Sequence, residues 1–312
     1  MTRKIETVVV GIAMVRREDP VLEPAIRLAA SLGAHLHVVH VFELPDPLLS
    51  AYGQAGYLGE DFGRDHGDAL RADLEKRVAA HEPAHPVTCH AVLGSPAELL
   101  CRTAGKLGAD LILVGSTREG KLARKILGTT ADRVIRHAHL PVLVMRRGGV
   151  VEPRRVLLTT DLTESNAGPY ELGYDLAHAL NPGSTLELRC LLAIWYGLTL
   201  PPPLKGDLAR QMAERELERF LEARGERGRG VEQSVRIGTP AEEIVNEARE
   251  WECDLLVLGT HSRHGLGRLF FGSVAAASAR DAFCDVLVVP PTKVPAESHA
   301  PSNNLPLEEA AS

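Results

Sequence analysis

One short turn sequence occurs twice in this chain. Gly94-Ser95-Pro96-Ala97-Glu98 returns as Gly238-Thr239-Pro240-Ala241-Glu242, a shift of 144 residues. The shift then stays constant. Asp110 maps to Asp254, Gly115 to Gly259, Arg124 to Arg268 and Gly128 to Gly272, and Val142-Leu143-Val144 maps to Val286-Leu287-Val288. A gap-free match over about fifty residues, with Gly, Pro and Asp in step, is the mark of an internal repeat. Whatever one copy folds into, the other must fold into as well.

Each copy alternates short apolar runs with helical periodicity. In the first copy, residues 8–12, 36–42, 87–93, 110–114 and 142–145 read as strands rich in Val, Leu and Ile. Between them, residues 20–32, 66–81, 96–107 and 130–137 read as helices. Gly33 stands where the first helix should stop, and Ser95 with Pro96 where the third should start. Residues 44–63, rich in Pro, Gly and Tyr, read as a loop. The second copy repeats the order. Strands are expected at 156–160, 186–194, 231–237, 254–258 and 286–289, and helices at 171–180, 208–223 and 275–282. The order β-α-β-α-β-α-β-α-β predicts a parallel sheet with helices on both faces, an α/β fold, in two tandem repeats. The expected division is one domain over 1–147, a linker at 148–153, a second domain over 154–291, and a disordered tail at 292–312 that is poor in apolar residues.

Composition narrows the function classes. The 312 residues are 45% hydrophobic and only 4% aromatic, so the cores must rest on aliphatic side chains. The formal charge of −6 gives no reason to expect nucleic acid. The five cysteines are scattered, form no CxxC, and indicate neither a disulfide framework nor a zinc site. No apolar run is long enough to span a membrane, and no signal-peptide region precedes the first strand. A cytoplasmic protein is expected.

The chemistry-bearing stretch is Gly259 to Val274. It joins an apolar strand to an Ala-rich helix through a glycine-rich turn, where backbone N–H groups and a helix N-terminus can hold phosphate. Its twin runs from Gly115 to Thr130. There is no Walker GxxxxGK[ST] and no GxSxG elbow, so no dedicated hydrolytic machinery is evident. The pairs His261/His264 and His137/His139 bring no further ligands at metal-binding spacing, and a loop role is expected for them. Cys190 and Cys253 read as small core residues.

These features together resemble the universal stress protein family in its tandem form, over residues 4–290. The resemblance rests on the opening strand ending in Asp161, the Gly238-Thr239-Pro240-Ala241-Glu242 turn, the glycine loop, and Gly272-Ser273-Val274 before the last helix and strand. It implies repeats that are each a five-stranded parallel sheet with helices on both faces, adenine nucleotide alpha hydrolase-like and Rossmann-like. It also implies, for some members, ATP binding through a motif of Gly, two residues, Gly, nine residues, Gly, then Ser or Thr. In the second repeat Gly259, Gly272 and Ser273 fit this motif, while Ser262 replaces the second glycine. By the same resemblance, Asp161 is the acidic residue after the first strand and Leu191 lines the base side. Arg263, Gly265, Arg268 and Val274 complete the loop and helix start. In the first repeat Gly115, Gly128, Thr129 and Thr130 fit, but Arg118 replaces a glycine and Ala13 the acidic residue.

A non-glycine residue forced to positive φ costs about 1–2 kcal/mol, against about 8 kcal/mol for a micromolar site. Ser262 therefore weakens a site without abolishing it, whereas Ala13 removes an acceptor outright. The expectation is ATP or a related adenine nucleotide, with or without Mg, in the second repeat, and a weaker second site in the first. Arg263, Arg268, Lys121, Arg124 and Lys125 read equally as phosphate-neutralising groups or as a solvated loop face. Asp161 reads as a general base or as the joint between strand and helix, with Thr163 or Ser165 as N-cap. Three classes stay open: a nucleotide-binding stress-response module acting through conformation and partners, an ATP-hydrolysing or adenylating enzyme, and a non-binding dimerisation protein. The terminal strands at 142–145 and 286–289 need cover, and the resemblance implies that the two repeats pair through them. Association of two whole chains is left open.

Overall fold

The structure is a computed structural model. It describes residues 4–14, 19–43, 60–116, 127–146, 149, 151–183, 185–195, 207–260 and 272–290. Ten strands and eight α-helices lie among the described residues. The first half contains β1 (Thr7–Ile12), α1 (Leu22–Leu32), β2 (His35–Phe42), α2 (Glu60–Ala79), β3 (Val87–Leu93), α3 (Pro96–Lys106), β4 (Leu111–Gly115), α4 (Thr129–His137) and β5 (Val142–Met145). The second half contains β6 (Arg155–Thr160), α5 (Ala167–Leu180), β7 (Glu187–Ile194), α6 (Asp207–Glu222), β8 (Glu232–Ile237), α7 (Pro240–Glu250), β9 (Leu255–Gly259), α8 (Ser273–Asp281) and β10 (Asp285–Val289).

The strands form one sheet in the order β3-β2-β1-β4-β5-β10-β9-β6-β7-β8. Each half is a five-stranded parallel sheet, as expected from the alternation. The halves join where β5 and β10 pair antiparallel, with Leu143 opposite Leu287. Those two residues are repeat equivalents, so a local two-fold axis passes through their pairing. Val142 then faces Val288 and Val144 faces Val286. All four residues of β5 and all five of β10 are buried. Alternate strand residues feed two apolar layers. One holds side chains of α1, α2, α5 and α6, and the other those of α3, α4, α7 and α8.

The repeat is visible in hydrogen bonds as well as in sequence. Asp110 Oδ2 accepts from the N–H groups of Glu6 and Thr7 at 3.0 and 3.1 Å. Asp254 Oδ2 accepts from those of Arg154 and Arg155, both at 2.9 Å. In each half the carboxylate that leads into the fourth strand clamps the start of the first.

Several local expectations shift. Gly33 ends α1 with a left-handed φ of 63°. Ser95 stands at the N-cap of α3 with Pro96 behind it, but its side chain makes no capping bond. The loop expected to run to residue 63 ends earlier, because α2 begins at Glu60. Glycine costs about 1 kcal/mol inside a helix. At Gly67 in α2 a Cβ would meet the Ala91 carbonyl oxygen only at an ordinary contact distance of 3.7 Å, so the packing there does not require glycine. The tail at 292–312 lies outside the described residues.

The halves differ at their outer rims. In the first, His37 is buried on β2 and its Nδ1 lies 3.0 Å from His90 Nε2 on β3. The His35 ring stacks on His37 at 4.2 Å. Burial, and then the neighbouring His35 and His90, push the His37 imidazole down to about 4. At the matching place in the second half, Arg189 Nη1 donates to Glu247 Oε1 at 2.8 Å, and Arg236 Nε donates to Glu247 Oε2.

A histidine held neutral in the folded state contributes fully above its unfolded value of about 6.5, and that contribution is lost as pH falls toward 4. Urea midpoints should therefore drop between pH 6.5 and 4, and His37→Gln should flatten that drop. Removing either clamp, Asp110→Ala or Asp254→Ala, should cost about 1–3 kcal/mol in denaturant unfolding.

Candidate functional site

In a doubly wound sheet, ligands bind outside the carboxyl ends of the strands at the point where chain order reverses. In the second half that point lies between β6 and β9. From β6 the chain runs outward to β7 and β8, then returns to β9 on the other side. Pairing of β6 with β9 ends at Leu158 opposite Val257. Beyond it the Thr159 hydroxyl donates to the Val257 carbonyl at 2.8 Å, and the strand ends separate around a crevice.

One wall is the turn after β6. Leu162 takes a positive φ of 67°, a costly conformation for a branched side chain. It is held because its N–H donates to Thr160 Oγ1 at 3.0 Å. Asp161 folds over the turn. Its Oδ1 accepts from the Thr163 N–H at 3.0 Å, the Thr163 hydroxyl at 2.6 Å and Asn166 Nδ2 at 3.1 Å. Asp161 thus joins strand to helix through its own side chain. Thr163 is the N-cap of a single 3₁₀ turn, Glu164–Asn166, but its hydroxyl goes to Asp161 and makes no capping bond to the backbone.

The second wall is α5 itself. It lies against the sheet at Gly173, where a Cβ would stand 2.7 Å from Val257 Cγ1 and 2.9 Å from Leu158 Cδ2. That approach carries Asn166 and Pro169 over the end of β9. A Cβ on Gly259 would collide with Asn166 Oδ1 and stand 3.2 Å from Pro169 Cγ.

The third wall is the start of α8. The Thr260 N–H donates to the Val289 carbonyl at 3.2 Å, and the Gly272 N–H donates to the Thr260 carbonyl at 3.1 Å. The chain leaving β9 is thereby tied to the chain entering α8. Gly272 is the N-cap, Ser273 and Val274 open the helix, no side chain of the described residues caps it, and no acidic residue lies in its first turn. The N–H groups and dipole of this terminus are available to an anion.

Of the residues singled out from sequence, Asp161, Gly259, Gly272, Ser273 and Val274 therefore fall around one crevice. Leu191 does not open into it. It is fully buried on β7, opposite Thr159 and Ser234, in the apolar layer with Leu157 and Leu256. Ser262, Arg263, Gly265 and Arg268, with His261 and His264, lie outside the described residues. So do Arg118, Lys121, Arg124 and Lys125.

In the first half Gly115 ends β4, Gly128 caps α4, and Thr129 and Thr130 open it. This terminus has Asp132 in its first turn, paired with Arg136 at 2.9 Å. Ala13 stands where the other half has Asp161. The lost carboxylate is replaced by Asp19, whose Oδ2 accepts from the Ala13 N–H at 2.8 Å and whose Oδ1 accepts from that of Val21 at 2.9 Å. Neither Asp19 nor Asn166 carries a spacing signal, because each works by folding back five or six residues along the chain.

The sequence profile of the universal stress protein family matches residues 4–146 and again residues 153–290. The chain belongs to the universal stress protein family. A universal stress protein of Mycobacterium tuberculosis is 26% identical over 298 residues, covering 92% of this chain and 97% of that one. Another from Methanocaldococcus jannaschii is 32% identical over 124 residues, 39% of this chain and 71% of its own. The crystal structure of a functionally unknown protein from Pseudomonas aeruginosa shares the fold, with a TM-score of 0.66 at 19% identity, covering 92% of this chain and 93% of that one.

The turn after β6 should be the most sensitive part of the crevice. Asp161→Ala removes the acceptor of three donors and should cost about 1–3 kcal/mol in urea unfolding. Thr163→Val should cost less, because the backbone donor to Asp161 remains.

Proposed function

We propose that this universal stress protein binds ATP or a related adenine nucleotide between β6 and β9, and acts through conformation or partners. The observation that carries this reading is the start of α8. It is a helix N-terminus that no side chain of the described residues caps, with no acidic residue in its first turn, set at the switch point where β6 leads into Asp161. Phosphate fits there on charge and on donor supply. Glycine at 272 also fits tightly under the turn, since a Cβ would stand 3.0 Å from the Thr260 carbonyl oxygen. By the family resemblance, Ser262, Arg263, Gly265 and Arg268 are proposed as phosphate-binding residues, with Mg²⁺ accompanying ATP.

The first half is proposed as the weaker site or as a buttress. Asp132 adds negative charge to its helix start, and Asp19 is committed to backbone donors. We assign residues 1–147 and 154–291 as its two domains, with 148–153 between them.

Titration calorimetry with MgATP should show a tight binding event in the intact protein that is lost in Gly272→Glu, leaving at most the weak binding of the first half. Equal heats from both would overturn the assignment. ATP recovered intact after long incubation supports a binding module, whereas steady release of phosphate would make the protein an enzyme.

A further inference from the structure

Asn166 is a buried polar side chain at the crevice with an unusual environment. It is 6% exposed. Its Nδ2 donates to Asp161 Oδ1, and its Oδ1 finds no hydrogen-bond donor among the described residues. That oxygen instead lies against the backbone of Gly259, in the space a Cβ would occupy. A buried amide oxygen without a donor is costly, so something must hold it there. Two neighbours do. Pro169, three residues on, packs against the same glycine, and Gly173 locks α5 onto Leu158 and Val257. Asn166 is therefore a spacer with two contacts, one on the acidic wall of the crevice and one on the first glycine of the phosphate loop.

We infer that Asn166 is the positioning residue of the nucleotide site. It sets the orientation of the Asp161 carboxylate and its distance from the end of β9, and Gly259 is glycine in order to admit it. This rests on the nucleotide reading above. It also reassigns Gly259. Loop glycines of this type are ordinarily explained by contact with phosphate, whereas here the neighbour that forbids a side chain belongs to the protein. A nucleotide phosphate need not touch Gly259 at all. The chemistry that Asn166 serves is recognition of a hydroxyl or amine donor on the nucleoside by a carboxylate of fixed orientation.

Two readouts test this on the full-length chain, MgATP affinity and thermal midpoint. Asn166→Ala should weaken ATP about tenfold or more. Asn166→Asp keeps the shape but places a second carboxylate beside Asp161. Its ATP affinity should be poor at pH 8 and recover as pH falls toward the carboxylate range, because one shared proton restores the donor. A purely structural asparagine would not give that pH profile. Gly259→Ala should lower the thermal midpoint by several degrees, and much less in the Asn166→Ala background. Wild-type affinity in Asn166→Ala, or a Gly259→Ala penalty unchanged by removing Asn166, would overturn the inference. A wild-type protein that binds no ATP would instead overturn the nucleotide reading on which it rests.

Discussion

The pairing of β5 with β10 is the interaction the rest of the molecule depends on. A sheet edge presents unpaired N–H and C=O groups, and here the two strands that would be edges are almost wholly apolar and buried. Val142 to Met145 and Val286 to Val289 are at most 5% exposed. Neither half could leave that edge in water. Joining the edges removes both liabilities and makes one ten-stranded sheet. The edges that remain, β3 and β8, carry a different composition. Thr88, His90, Glu232, Gln233 and Arg236 occupy them, and exposure there is far higher. The sheet is driest at its middle and wettest at its rims.

That arrangement leaves both switch points open on the same sheet, and the chain has treated them differently. Around β6 and β9, a strained Leu162, a triply bonded Asp161 and a buried Asn166 hold the turn at the switch point, and the helix start there has no side-chain cap among the described residues. Around β1 and β4, the corresponding carboxylate has moved to Asp19 and its oxygens are consumed by the backbone. Backbone strain kept in place by several hydrogen bonds is commonly found at functional sites, and the second half has it at the crevice.

Much of this was legible in the sequence. The strands were readable because buried parallel strands are continuous aliphatic runs, and the punctuation by Gly33, Gly94-Ser95-Pro96 and Gly238-Thr239-Pro240 bounded the helices. The glycine-rich turn and the family resemblance brought Asp161, Gly259, Gly272 and Ser273 into view. The spacing of those residues could not show what lies between them. Asn166 and Asp19 act through side chains that turn back on a local bend, and such contacts depend on ψ angles rather than on periodicity. Leu191 illustrates the opposite failure. Its position along β7 was close to the mouth, but strand alternation turns it into the core. The start of α2 was hidden because Gly63 closes a stretch rich in Pro, Gly and Tyr that reads as loop, whereas the helix already begins at Glu60.

The axis through Leu143 and Leu287 has one more implication. In a dimer of identical chains, every contact off the axis must occur twice. This chain is not bound by that rule. The backbone N–H of Arg146 donates to Asp285 Oδ1 at 2.7 Å, and its guanidinium donates to the Ala279 carbonyl at the end of α8 at 2.7 Å. The repeat-equivalent positions are Pro290 and Pro141, which can do neither. Covalent linkage of the two halves has freed the seam to become asymmetric. It can brace the helix that starts at one crevice without bracing its twin, so the two crevices need not share a stiffness or respond to the same molecule.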